Sequence, residues 1–226
     1  YYPESVKHSM KCSKIKKEVF QIHTENCSEL VRGIQVIEDQ NLTECIREQV
    51  DAKDGILQPD TGKDFLPFAV IERHGISQRV GKTFVRGFGL KQGAIAQSIG
   101  HDTHNLLVVG TNFEDMEMAA NRVCAMEGGI TLIKEKKVVG DLPLRVAGLM
   151  SDEMTAEELA KSLAMISTAA KQEMGCEIHD VFMHLSFLTL VTSPKWKLTD
   201  YGLVNVEKGT VIETVERSGC EWNSGW

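Results

Sequence analysis

The stretch Leu106-Leu107-Val108-Val109-Gly110-Thr111-Asn112-Phe113-Glu114 contains the patterns that decide the predicted fold. Residues 106–109 are all apolar, so the strand that they predict has no polar face and lies in the centre of a sheet. The spacing Thr111-x-x-Glu114 matches a capping box and predicts that a helix begins there. A strand and a helix in direct succession indicate a protein that packs helices on a sheet.

Shorter apolar runs on either side of this stretch predict further strands. They lie at 19–22, 30–37, 68–71, 83–86, 93–99, 130–133, 137–139, 185–191 and 211–215. The Asp54-Gly55 pair predicts the turn of a hairpin. A second capping box, Thr155-x-x-Glu158, predicts another helix that ends at Gly175. The buried face predicted for that helix consists of Leu159, Leu163, Ile166 and Ala170.

Hairpins interrupted by helices are not a strict alternation of strand and helix, which disfavours a doubly wound parallel fold. The predicted class is therefore α+β or mixed α/β. It has a mixed or largely antiparallel sheet, with two main helices packed on one side and a β-rich segment in front. A loop at 59–63 and the change of composition after it predict three units: the β-rich segment 1–64, an α/β module 65–216 and a tail 217–226.

Composition narrows the classes of function. The chain has 226 residues and a formal net charge of −7, which argues against a nucleic-acid surface. No apolar run approaches the roughly 20 residues that span a bilayer, so a membrane protein is not expected. The cysteines are scattered without any Cys-x-x-Cys pair, which favours reduced thiols in a cytoplasmic protein over a zinc knuckle.

The segment His101-Asp102-Thr103-His104-Asn105 is the first candidate for chemistry. It joins two predicted strands. A tight turn there would place the Cβ atoms of the two histidines about 5 Å apart across the hairpin. Imidazoles converging in this way could ligate a divalent metal, with Asp102 as a further ligand or an orienting partner. The alternative is that Asp102 and Asn105 make turn hydrogen bonds while the histidines end the strands.

A second candidate is Glu72-Arg73-His74-Gly75, a charged group that follows a buried strand and could line the rim of a cleft. Its alternative is a solvated strand end with an Arg–Glu pair. A third candidate is the glycine-rich stretch 86–93, whose backbone amides could approach an anion. That stretch lacks the ending of a phosphate-binding loop, and tight turns between strands explain its glycines better.

Taken together, these segments resemble the carboxy-terminal region of adenine deaminase, a family of the amidohydrolase superfamily. The resemblance covers most of residues 66–206 in the family's order. The matching segments are 70–75, 87–96, His101-Asp102-Thr103-His104-Asn105, 109–112, 115–116, 147–152, 185–188 and Lys197-Leu198-Thr199-Asp200-x-Gly202-Leu203. The family usually has Ser where Thr103 stands, and 191–194 departs from a more apolar run, but neither departure affects the histidines.

The resemblance implies the hydrolysis of adenine to hypoxanthine and ammonia by a metal-activated water. The metal, manganese or iron, is held in an amino-terminal barrel by a His-x-His pair that this chain lacks. The chain is therefore expected to be inactive alone. Together with the barrel, it is expected to take adenine as its small-molecule substrate. The resemblance also leads us to expect a homo-oligomer. Residues 1–64 would correspond to the end of the barrel and to strands of a small flanking β domain.

Within that family reading, we expect the 101–105 loop to face the mouth of the barrel and to help bind adenine or shape its site. The candidate site residues are Glu72, Arg73, His74, His101, Asp102, His104 and Asn105, with His101 and His104 as candidate metal ligands. Two alternatives stay open. One is a non-catalytic oligomerisation module, and the other is a self-sufficient metal hydrolase that uses the 101–104 loop.

Overall fold

The computed structural model describes residues 2–216, so the predicted tail at 217–226 lies outside the described residues. The strands are β1 Ser28–Val36, β2 Thr43–Lys53, β3 Ile56–Leu57, β4 Leu66–Ile71, β5 Val80–Arg86, β6 Ala94–Gln97, β7 Leu106–Gly110, β8 Gly129–Lys134, β9 Lys137–Pro143, β10 Trp196–Thr199, β11 Gly202–Asn205 and β12 Thr210–Ile212. The α-helices are α1 Glu4–Lys7, α2 Phe113–Ala125, α3 Ala156–Met174 and α4 Val181–Phe187.

Within the described residues, one nine-stranded sheet has the order β3-β2-β1-β5-β4-β7-β6-β8-β9. β1 and β5 are parallel, and the other neighbours are antiparallel. The predicted α+β class with a mixed sheet is thus confirmed. β1, from the segment before residue 64, pairs directly with β5, so the sheet continues across the loop at 59–63. A separate three-stranded sheet has the order β10-β11-β12.

The middle of the large sheet is apolar on both faces, as the run 106–109 predicts. Every residue of β4 and β7 is buried. Their side chains alternate between two core clusters, one of which packs against α2 and the other against α3 and α4. The helices therefore lie on opposite faces, and the expectation that they share one side is wrong. A sheet whose central strands have no polar face must be covered on both faces.

The long helices begin and end largely where their capping residues stand. Thr155 and Glu158 form the predicted capping box of α3, and Gly175 ends the helix in the left-handed conformation. For α2 the predicted cap is displaced by one residue, since Asn112 accepts the backbone N–H of Asp115. On α3, Ile166 and Ala170 are buried as predicted, with Met174 beside them. Leu159 is only partly buried. Leu163 is 39% exposed, so its predicted burial is wrong.

Two predicted strands are helical in the structure. Residues 17–20 form a short 3₁₀ helix in place of the strand at 19–22. The run 185–191 belongs in its first part to α4, whose buried apolar side chains include Val181, Phe182 and Leu185. Their spacing is helical, but a short apolar run does not separate a buried helix from a buried strand. The Asp54-Gly55 turn is confirmed, with both residues at positive φ between β2 and β3.

Among residues 2–216 we find no helix that has both the length and the apolar character needed to cross a bilayer.

Candidate functional site

The candidate residues gather where several strands meet at one end of the large sheet. β4 ends at Ile71, which pairs with Leu106 at the start of β7, so the loops at 72–79 and 98–105 are neighbours. The turn at 200–201 joins them through Asp200, which contacts both Arg79 and Asn105. We call these three segments together the loop end. It contains all of the site residues predicted from sequence.

Glu72 is a buried carboxylate that holds the first of these loops. It accepts backbone N–H groups from His74 at 2.6 Å, Ile76 at 3.1 Å, Ser77 at 2.9 Å and Gln78 at 3.1 Å. Burial alone would raise the pKa of Glu72, but these donors outweigh it and lower the pKa to about 2. A carboxylate that is ionised and saturated in this way is unsuited to accept a proton at neutral pH. Its role is to position the loop.

Arg73 is also buried, and it joins distant parts of the chain. Its guanidinium donates to the carbonyl oxygens of His104, of Ser9 at 3.2 Å and of Ala147 at 2.8 Å. It also donates to the hydroxyl of Ser9 at 2.9 Å. Burial lowers the pKa of Arg73, although an arginine stays charged. The alternative of a solvated Arg–Glu pair is therefore wrong, because both side chains are buried and bind backbone groups.

The histidines of the loop end lie close together, but not as cross-strand neighbours. The residues between β6 and β7 form a longer loop, in which the His104 N–H donates to Gly100 O at 2.6 Å. The rings of His101 and His104 have centroids 5.7 Å apart, edge to face. His74 Nε2 donates to Thr103 O at 2.8 Å. Burial and the neighbouring His101 lower the pKa of His104, which favours its neutral form.

A polar network that we did not predict from sequence continues from Asn105. Its side-chain amide donates to Asp200 Oδ1 at 3.4 Å, and Arg79 Nε donates to Asp200 Oδ2 at 2.9 Å. The Arg79 guanidinium lies 3.8 Å from the centre of the Tyr201 ring. The Asn105 Oδ1 atom is buried and has no hydrogen-bond partner in the structure. The Thr199-Asp200-x-Gly202 motif marked this turn, but nothing in its spacing indicated a contact with Asn105.

These residues do not form a metal site by themselves. Within residues 2–216, no three His, Cys, Asp or Glu side chains are grouped so that they could hold an ion. The rings of Phe187 and His101 pack against each other with their centroids 5.6 Å apart. The Asp102 side chain is exposed to solvent. A closed protein site for a transition metal requires three or four such ligands. The pair His101 and His104 supplies at most part of a ligand set.

The glycine-rich stretch binds an anion that belongs to the protein itself. The Asp64 carboxylate accepts the N–H groups of Gly87 at 2.7 Å and Gly89 at 2.9 Å. Both glycines have positive φ, which few other residues tolerate. This geometry agrees with the interpretation of tight turns between strands, since an internal carboxylate takes the place where a phosphate would bind.

Known proteins with similar sequences extend this picture. The family described as adenine deaminase C-terminal domain matches residues 40–210. The chain is 48% identical to adenine deaminase 1 of Carboxydothermus hydrogenoformans over 95% of its own length and 36% of the relative's. It is 40% identical to the adenine deaminase of Kosmotoga olearia, over 91% of this chain and 35% of that protein. It is 37% identical to the adenine deaminase of Staphylothermus marinus, over 96% of this chain and 36% of that protein.

The chain is thus an α+β domain that spans about a third of the length of the curated relatives it matches. It belongs to the adenine deaminase family and corresponds to the C-terminal region of those proteins.

Proposed function

We propose that this chain serves as the C-terminal part of an enzyme that hydrolyses adenine to hypoxanthine and ammonia. The observation that carries the proposal is the match to the C-terminal domain of adenine deaminase, with 48% identity to one such protein. In this proposal the metal, manganese or iron, is held by an amino-terminal barrel of the amidohydrolase type and activates the attacking water. The chain alone is inactive because that barrel supplies the principal ligands.

The proposed contribution of this chain is to complete the adenine site from the loop end. His74, His101 and His104 lie at that end, and Asn105 presents a buried carbonyl oxygen without a partner there. Imidazole and amide groups are suited to hydrogen bonds with the nitrogen atoms of a purine. Glu72 and Arg73 hold the loops that carry them, while Asp102 is exposed at the edge.

The test uses a chimeric enzyme, in which this chain replaces the matching region of the Carboxydothermus hydrogenoformans protein. With manganese or iron supplied, we expect the chimeric enzyme to release hypoxanthine from adenine, and the isolated chain to release none. In the chimeric enzyme, His101→Ala combined with His104→Ala should lower kcat/KM by about 10- to 100-fold, the scale for the loss of two hydrogen bonds to the substrate. His179→Ala, an exposed histidine in another loop, is the matched control. Unchanged turnover and metal content in the double variant would contradict the assigned role, and activity in the isolated chain would overturn the proposal.

A second candidate function is a hydrolase that uses a metal bound within the chain. His101 and His104, whose ring centres are 5.7 Å apart, would supply two of its ligands, and the described residues group no third His, Cys, Asp or Glu with them. This function requires about one tightly held ion per chain. Metal analysis of the purified chain decides between the two, since a metal content that falls when both histidines are replaced supports only the second.

The proposal also includes a cytoplasmic location, which the scattered cysteines favour, and a homo-oligomeric assembly. Light scattering tests the assembly. A stable oligomer of the isolated chain without any deaminase activity in the chimeric enzyme would instead favour a non-catalytic oligomerisation module.

A further inference from the structure

The loop at 72–79 carries an apolar side chain in an unusual position. Ile76 is 85% exposed, compared with 65% for Met165, the next most exposed large apolar side chain in the described part of the chain. Tyr201 and Met150 lie near the same end of the molecule and are 59% and 51% exposed. Apolar groups that project together from one end of a domain are typical of a binding surface.

The loop that presents Ile76 is held in place by buried groups. Glu72 accepts four backbone N–H groups along the loop, including that of Ile76 itself at 3.1 Å. The backbone N–H of Glu72 donates to Arg79 O at 3.0 Å, which joins the two ends of the loop. A loop that is already ordered before binding loses little conformational entropy when it docks. An exposed aliphatic side chain on such a loop is suited to fill a pocket of a partner.

The start of the chain lies against the base of this loop. The backbone N–H of Lys11 donates to Arg73 O at 2.7 Å, and the Arg73 guanidinium donates to Ser9. Further back, Ala147 donates its N–H to Val6 O at 2.9 Å. In the longer relatives, the polypeptide that precedes this region therefore reaches the domain at the loop end. The chain covers only 36% of the length of such a relative, so most of that protein lies outside the matched region.

We propose that the loop at 72–79 docks onto the amino-terminal region of the full-length enzyme, with Ile76 seated in an apolar pocket of that region. This inference rests on the proposed function for the identity of its occupant. Glu72 is then a positioning residue for the interface, because it fixes the loop without touching adenine. Docking at this surface brings His74 and the 101–105 loop to the boundary between the two regions.

A competing surface lies at the opposite end of the sheet. It is an open groove of about 760 Å³ between α3 and the β8–β9 hairpin, lined by Val138, Met165 and three lysines among other residues. The start of the chain does not approach this groove, since residues 6–11 contact the loop end. Met165 therefore supplies a matched control for Ile76, because it is also an exposed apolar residue.

The first experiment measures the accessibility of the two positions with iodoacetamide. Ile76→Cys and Met165→Cys are prepared in the isolated chain and in the chimeric enzyme, and the alkylated peptides are quantified by mass spectrometry. We expect the chimeric enzyme to slow alkylation at position 76 by about tenfold or more, and to leave position 165 unchanged, since thiol reactivity follows exposure. Equal rates at position 76 in both proteins would overturn the proposal. Slowing at position 165 alone would assign the docking to the groove and would also overturn it.

The second experiment introduces a charge at the same positions. Ile76→Asp should leave the unfolding temperature of the isolated chain unchanged and should increase protease cleavage between the two regions of the chimeric enzyme. Met165→Asp should change neither. Unchanged cleavage in the chimeric enzyme would contradict docking through Ile76. Neither experiment uses deaminase activity, so an inactive chimeric enzyme that still protects position 76 would refute the proposed function and leave the docking intact.

Discussion

Lys197 is fully buried in the small sheet, and its ammonium donates to Asn41 O at 2.6 Å. Burial lowers its pKa from 10.5 to about 8. Below pH 8 the amine is charged in both the folded and the unfolded chain, so folding must bury a charge. Between pH 8 and 10.5 the unfolded chain keeps a proton that the folded chain has released, so the free energy of unfolding increases with pH. The full change corresponds to about 3 kcal/mol.

The measurement compares the original chain with Lys197→Met in urea at pH 7 and at pH 10. We expect the stability difference between the two proteins to shift in favour of the original chain by about 2–3 kcal/mol as the pH is raised. Because other groups titrate equally in both proteins, the difference isolates this lysine. A difference that stays constant over this pH range would show that Lys197 is ionised in the folded chain throughout.

Glu72 affects the free energy of unfolding at acidic pH, whereas Lys197 affects it at alkaline pH. Its backbone donors lower the pKa from 4.5 to about 2, so its stabilising effect is fully present above pH 4.5 and is lost as the pH falls through 2. Glu72→Gln removes the charge and turns one acceptor oxygen into a donor that faces backbone N–H groups. We expect it to lower the free energy of unfolding at pH 7 by about 2 kcal/mol. Urea titrations from pH 7 to pH 3 should show this difference shrinking, and a constant difference would contradict the ionised state.

Glu72 and Arg73 show which contacts could not be predicted from the sequence. The pattern Glu72-Arg73-His74 predicted a candidate site, which stays a prediction, and its alternative of a solvated Arg–Glu pair missed the burial of both side chains. The partners of Arg73 include Ser9 and Ala147, far away in the chain. Contacts of this kind depend on tertiary packing, and no local spacing encodes them.

Asp115 connects helix α2 to the turn between β8 and β9. Its carboxylate accepts the N–H groups of Glu135 at 3.1 Å and Lys136 at 2.8 Å, both at positive φ. We expect Asp115→Ala to destabilise the chain by about 1–3 kcal/mol, since two part-buried backbone donors lose a charged acceptor. Hydrogen exchange should become faster at 134–137. Thr155→Ala is the control, because it removes the cap of α3 and should loosen only the first turn of that helix.

The helices and strands were predictable where their pattern was long or had caps. The capping box at Thr155 and the apolar run 106–109 each correspond to the element they predicted. The run 185–191 was misassigned because α4 is short and buried, so its apolar residues fit either period. The apolar run 106–109 indicates that both faces of the sheet are covered, but the face on which a particular helix packs depends on the path of the chain.

At the scale of the whole molecule, one buried side chain, Arg73, joins distant parts of the chain at the loop end. It connects the start of the chain at Ser9, the loop after β6 at His104 and the segment after β9 at Ala147. Its acceptors are mainly backbone carbonyls, so they have no alternative partner when the guanidinium is removed. The planar group donates in several directions at once, which a lysine ammonium on a flexible stem does not reproduce.

We therefore expect Arg73→Lys to lower the free energy of unfolding by about 2–4 kcal/mol and to speed hydrogen exchange together in the segments 6–11, 101–105 and 146–150. Exchange at the opposite end, in the β8–β9 turn, should stay unchanged. Arg79→Lys is the matched control. Arg79 is half exposed and pairs with one carboxylate, so its replacement should cost less than about 1 kcal/mol. If hydrogen exchange in Arg73→Lys becomes faster only in residues 72–79, the segments 6–11, 101–105 and 146–150 are held independently of Arg73. The loop end would then not be a single rigid surface.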